Sequence, residues 1–156
     1  MDHKVKKELE LIRYVRHNIL TLTENLTDEQ LNRVPERMKN NLIWNLGHMV
    51  FTQQVLCYQL GGLEPTIDVA FFSQFAPGTI PEREMTVEEI ARIRSVFTDA
   101  FEQLATDAQA GKQAAYASWG LPSGISIDDF GDAMTTNAIH EGRHFGVIIS
   151  LAKLVT

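Results

Sequence analysis

The chain has 156 residues, 44% of them apolar and 22% charged, the profile of one domain over residues 1–156 and too short for two generous ones. Fourteen Lys and Arg against twenty Asp and Glu leave a net charge of −6, so the surface as a whole repels phosphate backbones and anionic lipid heads. Neither nucleic acid nor membrane is an expected partner. The lone cysteine, Cys57, cannot close an internal disulfide, and the polar opening residues show no charged-then-apolar leader, which predicts a reducing, cytoplasmic setting.

Val5, Leu9, Ile12, Ile19, Leu22 and Leu26 recur at helical spacing and predict a first helix over 3–25, with Lys4 and Lys6 four residues before Glu8 and Glu10 on its wet side. Arg13, Arg16 and His17 are assigned to that wet side too. Thr27 to Gln30 reads as a capping box opening a short helical turn that stops before Pro35. Asn40 or Asn41 can cap a second long helix whose seam is Leu42, Leu46, Met49, Gln53, Leu56 and Leu60, ending at Gly61 and Gly62. Trp44, Val50, Phe51 and Val55 occupy its other faces, so it should be buried on several sides. Residues 63–85 hold Pro65, Pro77, Gly78 and Pro81 and are too broken for a long helix; connections of this length are often functional. Thr86 to Glu89 is another capping box, opening a third long helix with a seam of Ile90, Ile93, Phe97, Ala100, Phe101 and Leu104 and an end near Gly111. Residues 119–124 read as a loop, after which Ser126 and Asp129 can open a fourth helix. No segment reads as a strand. The pattern predicts an all-α protein, a four-helix bundle with at least one long crossover.

The fourth helix carries an anomaly. Its seam, Phe130, Met134, Asn137, Glu141, His144, Ile148 and Leu151, is apolar at both ends and polar in the middle, where a bundle should be driest. A metal ion would give these side chains a partner: His140 and His144 lie one turn apart, about 6 Å along the axis, as two imidazoles converging on one ion require. A catalytic site needs a third protein ligand. His48 is the best placed, on a polar strip with Asn45 and Thr52; His3 is terminal and His17 faces solvent. The string from His140 to His144 also satisfies HExxH, in which the glutamate activates a metal-bound water. Yet residues 145–156 hold no further His, Asp or Glu. Glu141 is therefore the candidate catalytic residue only in a looser sense, as a base for bound water or as a hydrogen-bond partner of a ligand.

The run from Asn41 to His48, followed some ninety residues later by His140, three spacers, His144, Phe145, Gly146, Val147 and Ile148, resembles the DinB-like metalloprotein superfamily. The resemblance implies a four-helix bundle with an up-down-down-up course, often a homodimer, holding a divalent ion through His48, His140 and His144. Zinc or nickel is the ion expected. Many members continue the second histidine with Arg-Gly-Gln-Ile, where this chain has Phe145 and Val147 in place of the Arg and Gln. The ligands are untouched, but any substrate contact made by those two polar side chains is lost. Relatives that act as thiol-dependent S-transferases and isomerases imply a small-molecule substrate and a low-molecular-weight thiol as nucleophile. The first expectation is a metal-dependent transferase or hydrolase activating a thiol or water; the alternative is a non-catalytic metal-binding or oligomerisation module, stress-related in role.

Among the remaining residues, Cys57 reads as a small core side chain, Phe97 and Phe101 as core at helical spacing, and Arg92 and Arg94 as solvated charges. Asn45 and Asn137 read as supports or packing residues. Trp44, Tyr58, Phe71, Phe72 and Trp119 are candidates for the mouth of the bundle.

Overall fold

Each long helix opens on a side chain that takes up free N–H groups of its first turn. In the computed structural model, which describes residues 1–112, 116–121 and 124–156, Asp2 caps α1 (His3–Leu22) and Asn41 caps α3 (Leu42–Cys57) by accepting from Trp44 N at 2.8 Å. Complete capping boxes at Thr27 and Thr86 start α2 (Asp28–Asn32) and α5 (Val87–Gln109). Asp129 opens α6 (Phe130–Val155). The protein is all-α apart from one two-residue antiparallel pair, β1 (Trp119–Gly120) with β2 (Ser126–Ile127).

Three boundaries differ from the sequence reading. α1 stops at Leu22, where the Thr23 hydroxyl bonds back to Ile19 O instead of continuing the turn. α3 stops at Cys57, three residues before the end of the apolar seam, because the Tyr58 hydroxyl is tied to Asp107 at 2.9 Å. A 3-10 turn then leads to Gly62 in the left-handed region. Part of the expected 119–124 loop is strand: Leu121 N donates to Ile125 O at 2.7 Å, closing a small hairpin that helix-period reasoning does not detect; residues 122 and 123 lie outside the described residues. The broken 63–85 connection holds a single turn, α4 (Val69–Phe72), capped by Asp68, and a 3-10 turn over Ser73–Phe75.

α1, α3, α5 and α6 close into a ring in which α1 and α3 each pack against both α5 and α6. Two apolar clusters fill it. One gathers Ile19, Leu46, Met49, Phe97 and Ile148, the other Leu9, Ile12, Leu56, Leu104 and Met134. The turns between the clusters carry polar residues: Arg16 on α1, Gln53 on α3, and Asn137 and Glu141 on α6, all buried. Arg16 therefore corrects its sequence assignment. It is 3% exposed, not solvated, because it occupies the missing step of the seam between Ile12 and Ile19 and stacks over Phe97, 4.5 Å from the ring centroid. α3 is buried on all sides from Leu42 to Val50, as expected.

Cross-helix bonds fix how the helices run past one another. Glu8 meets Thr135 and Arg16 meets Glu141, so positions on α1 and α6 advance together. Asn45 meets His144 while Cys57 meets Met134, so positions on α3 and α6 advance in opposite senses. Gln53 bonds Ala100 O and Tyr58 bonds Asp107, which places α3 and α5 in the same sense.

Candidate metal centre

The opposed course of α3 and α6 brings His48 against the His140–His144 turn. One ring nitrogen from each of the three lies within 4.8 Å of the others. Their separation in sequence hides this: His48 and His140 are 92 residues apart, yet their Nε2 atoms stand 3.1 Å from each other. That matches two nitrogens each about 2.0–2.1 Å from one ion.

Neighbouring groups decide which nitrogen of each ring is free. Phe75 O, which can only accept, is 2.8 Å from His48 Nδ1, so that nitrogen carries the proton and Nε2 keeps its lone pair. For His144 the argument passes through Asn45. The Asn45 amide nitrogen donates to Asn41 O at 2.7 Å, which turns its Oδ1 toward His144 Nδ1, 2.8 Å away; Nδ1 is again the protonated atom and Nε2 is free. Such outer hydrogen bonds orient ligand imidazoles and raise their basicity. His140 Nδ1 is buried without a partner among the described residues. Burial, together with the other two histidines, pushes the His140 ring down to about 3, and burial with His48 pushes His144 down to about 4. Burial also lowers His48, opposed by its bond to Phe75. All three rings are therefore neutral at physiological pH, the state in which imidazole ligates metal. The donor set fits a divalent ion of the borderline-soft class.

Phe75 reaches His48 because of a glycine. A Cβ on Gly47 would lie 2.5 Å from the Phe75 ring, so only glycine lets that ring seat against α3 and present its carbonyl one residue further on. The 63–85 connection thus supplies a group that orients a ligand. The Trp44 ring stacks on His48, with centroids 4.7 Å apart and planes 11° from parallel.

Glu141 is not brought into the cluster. Its carboxylate, fully buried, receives three bonds from Arg16, the shortest 2.5 Å, and Arg16 also donates to Phe97 O at 2.6 Å. Burial pushes the Glu141 carboxyl up while the permanently charged guanidinium works against it. The side chain is occupied in a buried ion pair on the α1 side of α6. Its neighbours in the HExxH string, His140 and His144, face α3.

A cavity of about 730 Å³ opens against the cluster, lined by His48, His140 and His144 together with Trp44, Thr52, Trp119 and Arg143. Trp44 and Trp119 are thus where the mouth was expected. Tyr58, Phe71 and Phe72 are not: Tyr58 is spent on Asp107, Phe72 is fully buried, and Phe71 lies under Arg92, which pairs with Asp68. Cys57 is buried, 3.8 Å from the Met134 sulfur, with its thiol pushed up by burial. Asn45 is a support as expected, whereas both amide atoms of Asn137 are buried with no partner among the described residues.

Arg16, Gly47 with Phe75, and Arg143 were missed by the sequence reading. Arg16 was signalled by the gap in the α1 seam, and Gly47 by a glycine inside a buried helix. A family model described as the DinB superfamily matches residues 11–148. No curated protein matches the chain.

Proposed function

Because the chain belongs to the DinB superfamily, we propose that it is a metal-dependent enzyme of the thiol S-transferase or hydrolase type, in which His48, His140 and His144 hold a divalent ion, zinc or nickel. The observation that carries the reading is the pair of Nε2 atoms 3.1 Å apart, with the Nδ1 atoms of His48 and His144 fixed as donors by Phe75 O and Asn45 Oδ1. The ion, when bound, supplies a Lewis acid that lowers the pKa of a thiol or water. The chain's own residues do the rest. Phe75 and Asn45 hold two rings in the ligating tautomer, Trp44 packs flat on His48, and the cavity beside the imidazoles offers Trp44, Phe51, Val55 and Trp119 as an apolar wall for a small molecule. His48, His140 and His144, all neutral, would leave a bound ion its full charge, and since no fourth His, Cys, Asp or Glu joins them among the described residues, such an ion would be free to take a small molecule as well. That opening favours an enzyme over a purely structural site. The domain is read as a four-helix bundle of up-down-down-up course, supported by the order of the cross-helix bonds.

The test is elemental analysis of the purified protein, followed by thiol-conjugation and hydrolysis screens on wild type and His48→Ala. One equivalent of metal, lost together with turnover in a folded His48→Ala, supports the enzyme. Absence of metal after stoichiometric addition refutes the reading.

A further inference from the structure

Arg143 stands on α6 between the two histidines of the last helix, and its side chain lines two cavities at once. One is the 730 Å³ cavity against the imidazoles; the other, of about 480 Å³, is bordered by Ile125, Ile139 and His140. Five arginines are held, Arg13 by Glu102, Arg16 by Glu141, Arg83 by Glu89, Arg92 by Asp68, and Arg94 by Thr23 O, and neither Arg33 nor Arg37 lines the larger cavity. Arg143 has no such bond among the described residues. Among those residues no Asp or Glu lines the larger cavity, whose walls combine Trp44, Phe51, Val55, Leu56, Trp119 and Leu121 with the polar side chains of Asn40, Thr52 and Thr136. A chain with net charge −6 thus leaves one unpaired guanidinium at the edge of an aromatic and aliphatic cleft of small-molecule size. A largely apolar wall with one guanidinium at its edge is complementary to a ligand with an apolar body and one planar oxyanion.

We infer that this cavity takes an organic anion with an aromatic or aliphatic body, whose carboxylate is bound by Arg143 while the body lies between Trp44 and Trp119 and reaches the three histidines. The inference deepens the reading above by naming the substrate class of that same site, and it rests on it. Arg143 is a specificity residue: it sets which molecule is held, not how it reacts. The exposed cation at the cleft edge draws anions in against the repulsion of the rest of the surface.

Calorimetric titration of the full chain, loaded with one equivalent of zinc(II), with naphthalene-1-acetate and with its uncharged analogue naphthalene-1-acetamide tests this. The carboxylate is expected to bind wild type about tenfold or more tighter than the amide. Arg143→Gln should erase that preference while leaving the affinity for the amide, the zinc content and the melting temperature unchanged, and Arg143→Lys should restore part of it. Retention of the full preference in Arg143→Gln overturns the inference, and its disappearance in His48→Ala instead would show that the carboxylate sits on the metal. Failure of both compounds to bind at millimolar concentration also overturns it. A wild type that takes up no zinc yet keeps an Arg143-dependent preference would refute the metal reading and leave the anion site standing.

Discussion

Replacing Glu141 by Gln keeps the volume of the side chain and removes its charge, so it isolates the buried ion pair from any cavity effect. The variant leaves the Arg16 guanidinium, 3% exposed, with Phe97 O as its remaining strong acceptor at 2.6 Å. Two opposite charges about 4 Å apart at an effective dielectric near 20 attract by about 4 kcal/mol. Breaking a buried pair from one side typically costs about 3–5 kcal/mol, because the orphaned charge stays desolvated. In a domain of this size each kcal/mol moves the melting temperature by about 2–4 °C, so a drop of about 6–20 °C is expected. The double variant Arg16→Met with Glu141→Leu removes both charges and should lie within about 2 kcal/mol of wild type. Urea unfolding of all three proteins, with and without metal, measures both differences from wild type. A Glu141→Gln protein with unchanged stability but abolished turnover would refute this reasoning and restore the glutamate to the role that HExxH suggests.

Gly47→Ala places a Cβ 2.5 Å from the Phe75 ring, so it should cost about 1–3 kcal/mol by overpacking and weaken metal binding about 10–100-fold as the Phe75 carbonyl leaves His48; competitive titration with a chromogenic chelator reads this, and unaltered affinity counts against the positioning role of Phe75. The metal-free protein should lose stability as pH falls below about 6.5, the ordinary histidine value. His140 and His144, held down to about 3 and about 4 in the folded state, stay neutral there while the unfolded chain takes up protons, so the stability is fully present above pH 6.5 and declines toward the folded values. A urea midpoint that is flat between pH 7 and 4.5 contradicts the burial of those rings. Cys57, buried and with its thiol pushed up, should not react with a thiol-specific disulfide reagent until the chain unfolds; rapid labelling of the native protein would show that this part of the core opens.

The polar layer between the two apolar clusters explains why α6 carries Glu141 and His144 in the middle of its seam. Glu141 answers Arg16 across the α1 side, and His144 answers Asn45 and His48 across the α3 side. One irregular stretch of sequence thus serves two neighbours for different reasons, ion pairing on one face and imidazole clustering on the other. A buried pair such as Arg16–Glu141 also penalises any register in which either charge loses its partner.

Local rules of the chain determined most of the elements. Caps at Asn41, Thr86 and Asp129 set where the long helices begin, since free N–H groups of a first turn need an acceptor within three residues. The one-turn spacing of His140 and His144, the polar interruption of the α6 seam and the polar strip around His48 pointed to the three side chains that the fold assembles. Only the tertiary structure decided what each polar residue faces, because helical periodicity gives the angle of a side chain about its own axis and says nothing of the helix across from it. Arg16 was assigned to the wet side of its helix, yet it shares the face of Ile12 and Ile19, and the Glu141 carboxylate that holds it there comes from the far end of the chain. The same ignorance covered Phe75, whose carbonyl reaches His48 through a turn with no periodic pattern to follow, and Arg143, whose position at a cleft depends on walls contributed by α3 and the β1–β2 hairpin. Spacing within one helix follows from bond geometry; partnership between helices follows from packing, which no single segment encodes.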